Sequence, residues 1–420
     1  MNDELEARFD ALYAIGAGEG ANRPGLSRAE EEAHRLVADW MRAAGLDVRR
    51  DAAGNTFGRL SGADPALGEV WTGSHLDTVP SGGRFDGALG VLAAVYALER
   101  LRDLRPERTV AAVAFRDEEG WRFGRGFFGS RAVCGQVEAV ELRARDEDGI
   151  SVAEALEALD LEGPTPARPP AALPEAFVEA HVEQGPVLER TGSPLGVVTA
   201  IAGIAGLRVV FDGSPGHAGT VPLNGRADAL VAAAAFVTAL RRAALRIGDA
   251  VATVGECTVS RPAANVIPSH VEVTVDARAP QSRTLDDLVR AAERLANEAA
   301  RSEQCRASVV RLFRHDPVPM DSGVRSVLAR ACRSVGHAPT KLISGAGHDA
   351  GILAGAGVPA GLLFVRSGAG GVSHSPAETT DFEAIELCME ALTLTLRDLA
   401  DARLSRAPRA ARVRPSSQPL

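Results

Sequence analysis

Five short polar segments flank apolar runs of the sequence, and each contains side chains that can bind a metal ion or transfer a proton. They are "SHLD" (74–77), "RDEEG" (116–120), "HVEQG" (181–185), "SGAGHDA" (344–350) and "SGAGGVSHSPAE" (367–378). The apolar runs are typical of strands, and in open parallel sheets functional sites form at the carboxyl ends of the strands. We therefore expect the five segments to converge in space.

Three histidines in these segments, together with two carboxylates, suit a pair of divalent transition-metal ions. His75, His181 and His374 offer nitrogen ligands, and one carboxylate can bridge the two ions. Zn²⁺, Mn²⁺ and Co²⁺ all accept such a ligand set. Two ions spaced about 3.5–4 Å apart can hold and activate a water molecule between them.

His75 and Asp77 are two residues apart, so their side chains share one face of a strand. A histidine ligand usually donates its other ring N–H to a carboxylate, and Asp77 is placed to accept it. The alternative is a buried hydrogen-bonded pair without a metal. Asp86, in the glycine-rich "GGRFDGALG", is a further candidate, and its alternative role is to cap the following helix.

Two adjacent glutamates, Glu118 and Glu119, follow the apolar run "TVAAVAF" (109–115). Carboxylates at the end of a buried strand are costly unless cations or hydrogen-bond donors lie opposite them. If the chain turns there, one glutamate can bind a metal while its neighbour acts as general base on the activated water. Asp117 has no predicted role, and we expect it to be solvent-facing or structural.

The elements that must position these residues alternate between apolar strands and helices. This alternation predicts an α/β fold with a mostly parallel sheet covered on both faces. Ser27 and Glu30 form the pattern of a capping box and predict a helix over about 28–44. Strands are predicted within 68–79, 108–115, 176–185 and 359–365, and further helices within 86–101 and roughly 382–402.

The middle of the chain has a different pattern, in which the predicted elements follow the order βαββαβ. That order is typical of a split-βαβ, or ferredoxin-like, unit. We predict that it is inserted at 207–323 into a larger domain formed by 1–206 and 324–404. The last residues, 405–420, contain too little apolar surface to fold, and we predict that they are disordered.

The composition excludes several classes of function. Apolar residues make up 45% of the 420 residues, charged residues 24%, and the net charge is −9, which argues against nucleic acid or an anionic membrane as the main partner. The N-terminus lacks the pattern of a signal peptide, and no apolar run is long enough to span a bilayer. The five cysteines are scattered, which predicts reduced thiols in a cytoplasmic protein.

Several motifs together resemble the carbamoylase branch of the M20 metallopeptidase-like family. They are "SHLDTVPSGGRFDG", "DEEGWRFGRGFFGSRAVCG", "HVEQGPVLE", "GHAGTVPLNGRADAL", "RPAANVIPSHVEVTVDAR", "SGAGHDA" and "SHSPAE". That branch contains N-carbamoyl-L-amino-acid hydrolases, allantoate amidohydrolases and β-ureidopropionases. The resemblance implies a di-metal catalytic domain, two divalent ions (Zn, Mn or Co) per subunit, a small ureido or carbamoyl substrate, and a homodimer formed through the inserted dimerisation or lid domain.

The resemblance also implies a role for each matching residue. The metal ligands would be His75, Asp86, Glu119, His181 and His374, with Asp86 bridging; the general base would be Glu118. Substrate would contact Gln184, His348, Asn265 and Arg278, the last two holding its carboxylate. His217 would stabilise the developing oxyanion from the second subunit, and a cis peptide would join Asp86 to Gly87.

Some of these residues have simpler alternative roles. Arg278 could be a surface residue at a strand edge, His217 could cap a turn, and Asn265 could bond local backbone. For the whole protein, the leading hypothesis is an N-carbamoyl-L-amino-acid amidohydrolase. The alternatives are an allantoate amidohydrolase, an M20 peptidase or aminoacylase, and an inactive relative that binds ligands without turnover.

Overall fold

A computed structural model describes residues 2–16, 18–164, 172–260 and 262–401. The chain forms two compact units. The described residues of the first unit lie within 1–199, 320–342 and 347–420, and those of the second within 200–319 and 343–346. The predicted disordered tail, 405–420, lies outside the described residues.

Strands and helices alternate along the described chain. The strands are β1 (Asp47–Arg50), β2 (Thr56–Leu60), β3 (Val70–His75), β4 (Val110–Phe115), β5 (Ala176–Val182), β6 (Leu195–Ile201), β7 (Gly203–Asp212), β8 (Val251–Val259), β9 (His270–Ala279), β10 (Arg306–His315), β11 (Val318–Pro319), β12 (Thr340–Ser344) and β13 (Ala360–Val365). The helices are α1 (Asn2–Tyr13), α2 (Arg28–Ala43), α3 (Ala88–Leu101), α4 (Phe128–Val133), α5 (Val152–Glu157), α6 (Val187–Thr191), α7 (Ala229–Ile247), α8 (Ser282–Ser302), α9 (Ser322–Ser334), α10 (Asp349–Gly355) and α11 (Phe382–Ala400).

The main sheet of the first unit has the strand order β1-β2-β4-β3-β5-β13-β6. Its four central strands, β4-β3-β5-β13, are parallel. The strands outside them pair antiparallel, β1 with β2, β2 with β4, and β6 with β13. The predicted α/β fold with a mainly parallel central sheet is therefore confirmed. Antiparallel strands flank the parallel centre, whose strands are buried over their full length and covered by helices.

Helix α2 confirms the helix predicted over about 28–44, but only half of the expected capping box forms. The Ser27 hydroxyl accepts the Glu30 N–H at 3.2 Å. The Glu30 side chain does not return to Ser27; it accepts the N–H groups of Leu26 at 2.7 Å and Asp117 at 2.9 Å. The residue that the local pattern assigned to a cap therefore supports the segment that follows β4.

The second unit contains a four-stranded antiparallel sheet in the order β10-β7-β9-β8. Along the chain its elements run β7-α7-β8-β9-α8-β10. Alternate residues of β9, including Val271, Val273 and Val275, are buried in a core shared with α7 and α8. Each unit therefore has its own hydrophobic core.

Two further observations concern the whole of the described chain. None of its helices is both long and apolar enough to cross a bilayer. All five cysteines are free thiols. Cys305, Cys332 and Cys388 are buried, whereas Cys257 is exposed and Cys134 is half-buried.

Candidate active site

The carboxyl ends of three neighbouring parallel strands bring the predicted site residues of the first unit together. His75 is the last residue of β3, His181 lies near the end of β5, and the glutamate pair follows β4. His374 lies in the loop after β13. Three groups of side chains have potential ligand atoms within 4.8 Å of one another: His75, Asp86 and His181; Asp86, Glu119 and His374; and Glu179, His181 and His348. The first two contain all five predicted metal ligands and are called the ligand groups below.

Asp86 belongs to both groups, and its two oxygens face different histidines. Its Oδ1 lies 3.1 Å from His181 Nε2 and 3.8 Å from His75 Nε2. Its Oδ2 lies 3.3 Å from His374 Nε2, which is also 3.3 Å from Glu119 Oε1. One carboxylate is thus shared between two three-residue ligand sets, which is the arrangement that a bridged pair of ions requires.

The histidine rings are oriented by bonds at their other nitrogen. His181 Nδ1 lies 2.8 Å from the carbonyl oxygen of Val182. His75 Nδ1 lies 3.1 Å from the carbonyl oxygen of Asp77 and 3.3 Å from its Oδ1. A proton donated from Nδ1 leaves Nε2 as the unprotonated atom, and in both rings Nε2 faces Asp86.

Asp77 also holds the backbone of the glutamate pair. Its Oδ1 accepts the Glu118 N–H and its Oδ2 accepts the Glu119 N–H, both at 3.0 Å. The carboxylate that orients His75 on β3 therefore fixes the turn after β4 as well. One fully buried side chain aligns a predicted ligand, a predicted base and a second predicted ligand.

The electrostatics of the site fit divalent cations. Burial by itself lowers the pKa of His75, but Glu118, Asp77 and Asp86 raise it well above its usual value. Hydrogen bonds to Asp86 and Glu119 raise the pKa of His374 to about 10. Several buried carboxylates thus favour positive charge at this site, and the nitrogen and oxygen donors are those that Zn²⁺, Mn²⁺ and Co²⁺ accept.

The two adjacent glutamates have different surroundings. Glu119 is within a ligand group, whereas Glu118 belongs to neither group and its Oε2 lies 3.9 Å from His75 Nε2. Burial raises the pKa of Glu118 well above its usual value, and the neighbouring Glu119 raises it further. A carboxylate with a raised pKa is suited to accept a proton near neutral pH.

Asp117 is not solvent-facing, which corrects one of the alternatives predicted for it. It is 2% exposed and adopts a φ of 48°, and its Oδ1 has no hydrogen-bond partner. Burial, Asp77 and Glu30 raise its pKa well above the usual value. Burial therefore disfavours the charged form of this side chain, and its left-handed backbone turns the chain two residues after β4.

The turn before α3 contradicts the alternative role given to Asp86 and the expected cis peptide. The residue that caps α3 is Gly87, with a φ of 64° and no side-chain cap, so Asp86 does not cap that helix. No described peptide bond is cis, and the bond between Asp86 and Gly87 is therefore trans. Gly87 reverses the chain through its positive φ, which glycine adopts at little cost, so no cis bond is needed there.

Gln184 and His348, the predicted substrate contacts of the first unit, both lie at this site. Gln184 donates from Nε2 to Asp86 Oδ2 at 3.0 Å and to the Ser373 hydroxyl at 3.1 Å. The His348 ring packs edge-on against His181, with ring centres 4.6 Å apart. Burial, and then His181, lower the pKa of His348 well below its usual value, so its ring is neutral.

The predicted site residues of the second unit occupy more open positions. Arg278 lies on β9, which is an inner strand, so the strand-edge alternative is wrong. Its Nε and Nη2 donate to Asp276 at 2.8 and 2.9 Å, and its Nη1 donates to the Gly345 carbonyl. His217 is exposed and its Nδ1 accepts the Gly219 N–H at 3.1 Å, while the exposed Asn265 pairs with the His217 segment through its backbone carbonyl.

Comparisons with known proteins match this arrangement to a known family. Residues 71–398 match the model of peptidase family M20/M25/M40. The chain belongs to that family. It is 40% identical to an N-carbamoyl-L-amino acid amidohydrolase of Geobacillus stearothermophilus over 95% of this chain and 99% of the relative. It is 36% identical to an allantoate amidohydrolase of Bacillus subtilis strain 168, over 93% of this chain and 95% of the relative.

A solved structure agrees with these matches. A crystal structure of an amidase of the hydantoinase/carbamoylase family from Burkholderia multivorans superposes with a TM-score of 0.89 at 31% identity, over 95% of this chain and 98% of that chain. The M20 resemblance inferred from the motifs is therefore confirmed. This M20 protein is an amidohydrolase.

Three buried acids of this M20 site were not singled out from the sequence. Glu179 lies two residues before His181 on β5; it accepts the Ser74 hydroxyl at 2.7 Å and the Ala350 N–H at 2.8 Å. Asp349 is fully buried, and burial raises its pKa to about 8. Glu378, which is also buried, is the last residue of the motif "SHSPAE" that contains His374. A charged residue inside an otherwise apolar strand was the available signal for Glu179.

Proposed function

We propose that this protein is a two-metal amidohydrolase that converts N-carbamoyl-L-amino acids to the free amino acid, ammonia and carbon dioxide. Three relatives with 34–40% identity are named N-carbamoyl-L-amino-acid amidohydrolases, which supports this substrate class. The observation that carries the mechanism is the division of Asp86 between two ligand groups, with Glu118 outside both.

Five side chains would hold the two ions. One ion would be bound by His75, Asp86 and His181, and the other by Asp86, Glu119 and His374. When bound, such ions polarise the carbamoyl oxygen and lower the pKa of a water molecule. Zn, Mn and Co are the proposed metals.

Glu118 would be the general base. It would take a proton from the water that attacks the carbamoyl carbon and return it to the leaving nitrogen as the C–N bond breaks. Its raised pKa suits both steps, because a carboxylate of ordinary pKa would hold the proton too weakly to return it. Asp77 would keep Glu118 in place through the backbone bond at 3.0 Å.

The second unit would recognise the amino-acid end of the substrate. Arg278 and Asn265 would hold the substrate carboxylate, since a guanidinium binds a carboxylate through two parallel hydrogen bonds. The Arg278 fork now faces Asp276, so the substrate would compete with or share that partner. His217 would donate to the developing oxyanion, and Gln184 and His348 would contact substrate in the first unit.

We further propose that the second unit is the inserted ferredoxin-like domain and that it forms a homodimer. Its element order β7-α7-β8-β9-α8-β10 supports the first part of this proposal. The proposed homodimer is supported by exposed apolar side chains on the helices and edge strands of this unit. They include Leu245 (68% exposed), Val251 (60%) and Val310 (51%). Sedimentation equilibrium tests the dimer, and a monomer at micromolar concentration would contradict it.

We also propose a cytoplasmic location without nucleic-acid or membrane partners. The five free thiols and the net charge of −9 support this proposal. Fractionation of the host cell, followed by detection of the protein, tests it.

Allantoate is the second candidate substrate. Its support is the allantoate amidohydrolase of Bacillus subtilis, which is nearly as similar to this chain as the carbamoylases are. Both substrates contain a ureido group next to a carboxylate, so the same ligands and the same base would serve either reaction.

A substrate panel separates the two candidates. Metal-loaded protein is incubated with N-carbamoyl-L-amino acids, N-carbamoyl-β-alanine and allantoate, and ammonia release is measured. The proposal predicts the highest kcat/KM for an N-carbamoyl-L-amino acid. Preferential turnover of allantoate would replace the proposed substrate, and no turnover of any ureido compound would refute the proposed activity.

A further inference from the structure

Glu378 is a buried carboxylate that lies beside the shared ligand Asp86 but belongs to neither ligand group. It is 4% exposed. Its Oε2 accepts the backbone N–H groups of Phe85 at 2.7 Å and Asp86 at 3.2 Å. Its Oε1 accepts the Ser373 hydroxyl at 2.9 Å. Both oxygens therefore already have hydrogen-bond donors, which favours a role other than metal binding.

The turn before Asp86 is built around this carboxylate. A Cβ atom added to Gly83 would lie 2.1 Å from Glu378 Oε2, so any larger residue at position 83 would collide with the carboxylate. Glu378 is 293 residues from Phe85 and 292 from Asp86 in the sequence. A contact this distant along the chain cannot serve only the local structure of either loop.

Ser373 extends the same contact to the carboxylate of Asp86. Its hydroxyl donates to Glu378, accepts from Gln184 Nε2 at 3.1 Å, and lies 3.5 Å from Asp86 Oδ2. Ser373 immediately precedes His374, a ligand of the second group. Glu378 thus holds the backbone of the shared ligand and, through Ser373, the loop that carries another ligand.

We propose that Glu378 is a positioning residue of the metal centre, which fixes the shared Asp86 through its backbone and locks the His374 loop to it. This inference rests on the proposed function. Without Glu378, two buried N–H groups lose their acceptor, and Asp86 is free to rotate away from one of the two histidine sets. Loss of alignment would weaken metal binding most at the second group, because both Asp86 and the loop of His374 belong to that group.

The experiment measures metal binding directly. Metal-free wild-type, Glu378→Ala, Glu378→Asp and Glu378→Gln proteins are titrated with Mn²⁺ by calorimetry. Glu378→Ala and Glu378→Asp are expected to bind the second ion at least tenfold more weakly, since neither reaches the amides of Phe85 and Asp86. Glu378→Gln, which keeps one oxygen of the right length, is expected to stay within a few fold of wild type. If Glu378→Ala does not fold, the comparison of Glu378→Asp with Glu378→Gln tests the proposal, and equal affinities of these two variants for the second ion would overturn it.

Glu183→Ala is the matched control. Glu183 is also buried, and its carboxylate also accepts two consecutive backbone N–H groups, those of Val187 at 2.7 Å and Leu188 at 2.8 Å at the start of α6. The Glu183→Ala substitution is expected to lower the midpoint of thermal unfolding while leaving the affinity for the second ion unchanged. An equal loss of affinity in Glu183→Ala and Glu378→Ala would overturn the proposal.

Electron paramagnetic resonance of the Mn²⁺-loaded proteins gives a second readout. Two ions bridged by one carboxylate are expected to give an exchange-coupled signal in wild type, and Glu378→Ala is expected to give the signal of isolated ions. If Glu378→Ala binds the second ion with wild-type affinity and gives the exchange-coupled signal, only the proposed role of Glu378 is overturned. Absence of Mn²⁺, Zn²⁺ or Co²⁺ binding by the wild-type protein would instead refute the proposed metal centre.

Discussion

Glu118 and Glu119 are adjacent, yet the structure places them differently. Asp77 accepts both backbone N–H groups at 3.0 Å and so holds the turn from which the two side chains extend. Glu119 reaches His374, and Glu118 reaches toward His75. Identical chemistry at neighbouring positions can therefore serve two roles, because the backbone between them is fixed.

Substituting each glutamate by glutamine separates these roles. Glu118→Gln removes the proton acceptor and is expected to lower kcat by about 10²–10⁴-fold, the usual contribution of a general base. Its metal content is expected to remain that of wild type. Glu119→Gln removes a ligand charge and is expected to lower the metal content. Ammonia release and elemental analysis of the purified proteins measure both, and equal metal occupancy in the two variants would contradict the division of roles.

Helix α2 supports the segment after β4 through a buried ion-pair network. Arg116, the first residue after β4, pairs with Glu30 at 3.2 Å and also with Glu31, and all three side chains are buried. Glu30 in turn accepts the Asp117 N–H. The helix thus fixes both residues that precede the glutamate pair.

Two arginines that pair with the same glutamate test the importance of burial. Arg116→Met leaves Glu30 and Glu31 without their buried cation and is expected to lower the free energy of unfolding by about 3–5 kcal/mol. Arg35 pairs with Glu31 at 2.7 Å, but its side chain is 69% exposed. Arg35→Ala is therefore expected to cost at most about 1 kcal/mol. Urea unfolding measures both, and equal losses would show that the buried network does not stabilise this segment.

The sequence predicted the strands and helices whose signals are local, and it located the candidate metal ligands. Apolar runs ending in "SHLD", "RDEEG" and "HVEQG" located three strand ends, and the rule for parallel sheets predicted their convergence. It did not predict the second bond of Glu30, to a residue 87 positions away. Nor did it assign a role to Glu378, whose backbone N–H donors, those of Phe85 and Asp86, lie in a distant turn. Such contacts depend on tertiary packing, which no local pattern encodes.

At the scale of the whole molecule, the chain divides its proposed tasks between two units with separate cores. All five proposed metal ligands and the proposed base lie in the first unit. The proposed anchors for the substrate carboxylate, Asn265 and Arg278, lie in the second. Metal binding would therefore depend on the fold of the first unit.

A metal titration of the whole protein tests the proposed two-metal centre most directly. Protein stripped with a chelator is supplied with increasing Mn²⁺ or Zn²⁺, and ammonia release from an N-carbamoyl-L-amino acid is followed. A bridged two-metal centre predicts no activity without metal and a plateau at two ions per chain. Full activity in the stripped protein, or a plateau at one ion per chain, would contradict it.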